Sequence, residues 1–295
     1  MLRKRLLVLG VAAAFSLSGA IWAADGKAAP AKPAIKLSAE QIVEKNFAAR
    51  GGTTAWHGVQ SMSWNGKMEV GYADSVARSQ RYVSQAAART GRAERMALEE
   101  EEKNAQNAKQ VELPFVMEMK RPGKERVEIE FGGKTAIQVY DGKDGWMMRP
   151  FLNRTDWEPF SQEQAKSQAD TLGIDGALFD YAAKGTKVAV EGIEAVDGHD
   201  AYKLKLTRKG GEVRHVWIDT QSFLDVKVEG TPRRMDGKMH AVWIYQRDFR
   251  PVKGLMVPFA METAVEGYRD THKMTIEKVG LNPQLADTLF VKPTS

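Results

Sequence analysis

The chain contains no cysteine among its 295 residues. That excludes a disulfide scaffold, a cysteine-ligated metal or iron–sulfur centre, thiol catalysis and a lipid anchor attached through cysteine. Beyond residue 23, no apolar stretch is long enough to span a bilayer as a helix. The common catalytic fingerprints are missing too: there is no G-x-S-x-G, no P-loop and no dinucleotide motif. The histidines His57, His199, His215, His240 and His272 form neither H-E-x-x-H nor an H-x-H pair. Carboxylates are plentiful, but they fall on solvent faces and in turns, where no acid–base pair stands out. No catalytic residue, metal ligand or cofactor is therefore assigned, and a hydrolase or metal enzyme is kept only as the last alternative.

What is present fits a globular chain. Hydrophobic residues make up 43% and charged residues 27%. Lysine and arginine number 43 against 38 acids, for a formal charge of +5. Taken alone, that balance invites a polyanionic partner. However, Arg3, Lys4 and Arg5 precede an apolar run from Leu6 to about Trp22, followed by Ala23 and Ala24. This is the order of a secretory signal peptide, with cleavage expected after Ala23 and an uncleaved anchor as the alternative. Without residues 1–23 the charge is +2, because the segment carries three cations and no acid. No nucleic-acid partner is expected. Residues 24–37, rich in Ala, Pro and Lys, read as a flexible leader. A single domain is expected over 38–295.

The domain opens with a helix. Ser38 and Gln41 form a capping box, Leu37 and Ile42 a hydrophobic staple, and Gly51-Gly52 a C-terminal stop. The expected helix is 39–50. Alternation with period two follows. Met62, Trp64, Met68 and Val70 alternate with Ser63, Asn65, Lys67 and Glu69. The pattern recurs at 115–120, 126–131, 137–139 and 145–151, with glycine-rich turns between strands. Residues 161–184 read as two short helices. Strand alternation then runs from Lys187 almost to the end. Between Tyr72 and Val111 the rhythm breaks. The segment 74–110 is charged and partly helical in pattern, and serves either as a solvated insertion or as a docking arm.

About a dozen strands joined by hairpins predict a mainly β fold: a curved antiparallel sheet forming an incomplete barrel covered by short helices. So few helices cannot fill so large a concave face, so an apolar hollow is expected. Candidate lining residues, taken from the strands, are Trp64, Met68, Phe115, Met117, Met119, Ile129, Phe131, Trp146, Met148, Trp217, Trp243 and Met274. Methionine suits a cavity for variable chains, although each Met or Trp alone also suits an ordinary core. Arg149, between Met148 and Pro150, is a candidate gate or head-group contact if it points inward.

The order of these features resembles the outer-membrane lipoprotein-sorting superfamily, the LolA/LolB-like proteins. The resemblance rests on Ala49–Gly52 ending the first helix, the strand Ser61–Val70 and the segment Tyr140–Met148. It is completed by Leu281-Asn282-Pro283, Leu285, Ala286-Asp287, Leu289-Phe290 and Pro293. It covers roughly 38–293 and implies a periplasmic half-barrel with a cavity for acyl chains. The insertion at 74–110, the lack of cysteine and the lack of a protruding leucine loop depart from the best-known members. The implied function is a carrier that shelters lipid or lipoprotein acyl chains and passes them to an inner- or outer-membrane protein partner. The alternative is an envelope sensor that uses the same cavity to detect lipid.

Overall fold

A computed structural model describes residues 36–70, 111–150, 154–169, 173–235, 237–268 and 271–292. The segments expected to be a signal peptide (1–23) and an insertion (74–110), and residues 24–35 of the expected leader, lie outside the described residues.

Helix α1 (Ala39–Ala49) begins as its sequence dictates. The Ser38 side chain accepts from the Gln41 backbone N–H, and the Ser38 N–H donates to Gln41 Oε1 at 2.9 Å. It stops at Gly51 and Gly52, whose φ values of +108° and +95° suit glycine. A five-residue helix α2 (Thr53–His57), absent from the sequence expectation, follows at once.

The rest is mostly strand: β1 (Ser61–Val70), β2 (Val111–Lys120), β3 (Lys124–Phe131), β4 (Lys134–Tyr140), β5 (Gly145–Arg149) and β6 (Arg154–Pro159). After α3 (Gln162–Ala169) come β7 (Lys187–Val196), β8 (His199–Thr207), β9 (Val213–Asp219) and β10 (Asp225–Glu229). A small hairpin, β11 (Arg233–Met235) and β12 (Lys238–His240), precedes β13 (Val242–Val252), β14 (Leu255–Val265) and β15 (His272–Leu281). Thirteen of these strands form one antiparallel sheet in the order β6-β5-β4-β3-β2-β1-β15-β14-β13-β10-β9-β8-β7. The sheet is open, with β6 and β7 as its edges, so the incomplete barrel is as expected. Val70 and Val111 are register partners, so the 71–110 segment leaves from the end of the β1–β2 hairpin.

The inner face of the sheet carries the core. Ile42 and Val43 of α1 pack with Leu204, Leu206, Val216, Ile218 and Val228 from β8–β10. Trp56 of α2, Ile174 and Phe179 pack with Met62, Phe115, Met119, Val257 and Ile276. Phe47 joins both groups.

One sequence expectation needs correction, and one glycine an explanation. Among the described residues, the second helix expected within 161–184 is absent. Residues 173–185 form turns, because Asp180 takes φ +51° and Gly176 and Gly185 take +75° and +72°, which a right-handed helix cannot contain. Glycine at 66 is explained by crowding. β1 and β15 slip register there, and a Cβ would stand 2.0 Å from the Thr275 carbonyl oxygen. Gly66→Ala is expected to lower stability by about 1–3 kcal/mol, visible as a lower urea midpoint.

Candidate functional site: an apolar hollow with a basic vestibule

The inner face encloses a cavity of about 320 Å³, within the range of small-ligand pockets. Its apolar walls are Met62 and Trp64 of β1, Met117 and Met119 of β2, Val216, Val228, Ile244, Val257, Met261 and Met274, and Arg50, Arg208, Arg214 and Arg233 with Glu125, Asp225 and Glu229 also reach its lining. Trp56 of α2 and Ile174 and Ala177 of the 173–185 turns close it from the opposite side. This arrangement follows from period two: on each strand every second residue faces in, and those positions are mostly apolar.

Of the residues expected from sequence to line a hollow, Trp64, Met117, Met119 and Met274 are at its wall. Phe115, Met68 and Ile129 stand on the same face and pack in the adjoining core. Phe131 shares that face by register but ends the β3 hairpin, 47% exposed. Four others are on the opposite face. Trp146 pairs with Val139, which pairs with Arg126 and so with Glu118, on the far side from Met117. Met148 follows Trp146 on that face. Trp217 and Trp243 neighbour the inward Val216 and Ile244 in sequence, so they point outward. There the Lys227 ammonium lies 4.3 Å from the Trp217 ring centre and 5.1 Å from that of Trp243. Arg149 lines neither cavity. Its Nη2 donates to Glu158 Oε2 at 2.7 Å, within the β5–β6 pair.

Polar groups that sequence reasoning missed hold the roof. Arg121 Nη1 donates to the Trp56 and His57 carbonyls at 3.1 and 3.4 Å, at the end of α2. Its Nε donates to Asp175 Oδ1 at 2.9 Å, and its guanidinium faces the Phe179 ring at 5.0 Å. One side chain from the β2–β3 turn thus ties both covering segments together. Deeper in, Arg50 Nη1 stands 3.5 Å from Asp225 Oδ2, and Asn46 Nδ2 donates to Asp225 Oδ1 at 2.9 Å. The Arg50 guanidinium also lies over Trp56 at 4.4 Å. Burial pushes the Asp225 carboxyl above its ordinary range, against the pull of Arg50 and Asn46.

A second cavity, of about 520 Å³, adjoins the first. Both are lined by Met119, Glu125, Ile174, Gly176, Thr186 and Arg208. Its other walls include Lys120, Arg121, Lys124, Lys184 and Lys209, so an apolar hollow gives onto a basic vestibule. Glu125 stands at the junction, held by Gln168 Nε2 at 2.8 Å. Desolvation raises its pKa, and the amide bond pulls the other way. A carboxyl with a raised folded-state pKa contributes stability below its unfolded pKa and loses it as pH rises through the folded value. Glu125→Gln is therefore expected to raise the melting temperature at about pH 8 and to change little near pH 4, where the parent is already protonated. Among the described residues, no group of three or more His, Asp or Glu is placed to hold a metal ion.

No family model matches the sequence, and no curated protein matches it. Solved structures do match the fold. A LolA superfamily protein from Nitrosomonas europaea superposes with a TM-score of 0.51 at 15% identity, over 87% of this chain and 98% of that one. A DUF1329 family protein from Desulfovibrio piger superposes at 0.50 and 13% identity, over 85% and 97%. The chain has a LolA-like fold: one large antiparallel sheet, not closed into a barrel, carrying short helices.

Proposed function

We propose that this protein is a periplasmic carrier of acyl chains. Residues 1–23 direct it across the inner membrane and are removed, and residues 38–295 form the carrier domain. The observation that carries this reading is the hollow itself, with apolar walls from seven strands under a roof held by Arg121. Each methylene that enters leaves water and contributes ~0.8 kcal/mol. Non-directional burial of this kind accepts chains of varied length and leaves the rest of the lipid or lipoprotein outside for a membrane partner to take. The LolA-like fold supports the reading by architecture alone, and the residues at the site suit binding rather than bond-making.

The reading is tested by native mass spectrometry of the protein purified from periplasm. A mass adduct that fragments to an acyl-bearing lipid is expected. A protein that comes out empty, and stays empty after incubation with lipid, would sink the carrier.

A further inference from the structure

Building on the carrier reading, we infer that the ligand is an anionic amphiphile, with its chain in the hollow and its charged end group in the basic vestibule. The two cavities share lining residues, so one molecule can occupy both. The vestibule is also under-neutralised. Arg121 and Lys184 share the single carboxylate of Asp175, with Lys184 Nζ at 3.4 Å from its Oδ2. Lys209 has no ion-pair partner among the described residues, and its side chain lies against Gly185, next to Lys184. Lys120 and Lys124 are drawn instead to Asp287. The remaining carboxylate on the wall, Glu125, is occupied by Gln168, and burial favours its neutral form. The inner cavity nearly balances its four arginines with three carboxylates, whereas the vestibule sets six cations against two, so an anion finds charge-assisted hydrogen bonds where a polar end group would emerge. An uncharged end group would gain only the weaker bonds of a neutral acceptor there.

The test is displacement of a fluorescent acyl probe from the purified protein by compounds of one chain length. Lysophosphatidylglycerol and a free fatty acid carry the anion on two different groups, and a monoacylglycerol carries none. Inorganic phosphate alone tests a site for free anions. Both anionic amphiphiles are expected to displace the probe at about tenfold lower concentration than the monoacylglycerol, as a charge-assisted bond provides. The advantage should vanish in the Lys184→Ser/Lys209→Ser variant and at high salt. Monoacylglycerol should compete equally with parent and variant, since neither lysine lines the hollow. Equal potency of charged and uncharged amphiphiles in the parent, or an anionic advantage that survives in the variant, would overturn the inference and leave the carrier standing. Phosphate binding as tight as the lysolipid's would make the vestibule a free-anion site and overturn it too. A parent that binds no acyl probe at all would remove the carrier reading and this inference together.

Discussion

Replacing Arg121 by alanine is expected to lower stability by about 3 kcal/mol, among the larger effects of a single surface-to-core polar contact. Arg121 keeps only 18% of its side chain exposed and makes three kinds of contact at once. It caps two carbonyls at the end of α2, pairs with Asp175 and stacks on Phe179. Truncation removes one donor from each carbonyl, leaving the Val59 N–H on Trp56 and Gln60 Nε2 on His57, and leaves Asp175 with Lys184 alone. The local effect should exceed the global one. Hydrogen exchange in α2 and 173–185 should rise sharply, while α1, held by its own apolar stripe on β8–β10, should change little. Arg121→Lys keeps the charge but not the planar fork, so it should recover only part of the loss. Wild-type exchange in α2 of the alanine variant would show that the roof is held by packing instead.

The second large effect concerns the hollow. Ile244 is half-buried on β13, with its free surface turned into the cavity. Ile244→Trp places an indole in that space and should exclude three or four methylenes of a bound chain. At ~0.8 kcal/mol each, acyl-probe affinity should fall about 100-fold. The neighbouring Trp243 points to the other side of the sheet, so Trp243→Phe should leave affinity unchanged. Matching losses from both substitutions would mean that binding tracks general stability rather than the cavity.

These residues also show what the sequence could and could not reveal. Helix α1 was legible because cap, staple, stripe and glycine stop all lie within residues 37–52. The strands and the open sheet were legible because alternation is local. The direction of each face was not. In Gly145–Arg149 and Val213–Asp219, large apolar residues occupy both parities, so Trp146, Met148 and Trp217 looked as eligible as their inward neighbours. Only the register with β4 and β8 decides which side faces in. The break at Asp180 was hidden for a related reason. Its left-handed backbone follows Leu178 and Phe179, which pack into two different cores, and no glycine at 180 marks it in the sequence. The vestibule was illegible because its cations come from turns near 121, 184 and 209, which only the folded sheet brings together.

Carriage in the hollow requires a chain lying against the inner face and not elsewhere, and the tryptophans report this directly. Trp56 and Trp64 line the hollow, while Trp146, Trp217 and Trp243 lie on the outer face. Titration with a lysophosphatidylglycerol brominated along its chain should therefore quench part of the intrinsic fluorescence with saturation at one site. The Trp56→Phe/Trp64→Phe variant should bind the same compound with almost no quenching. Quenching that persists undiminished in that variant would place the chain on the outer face and contradict the hollow as the binding site.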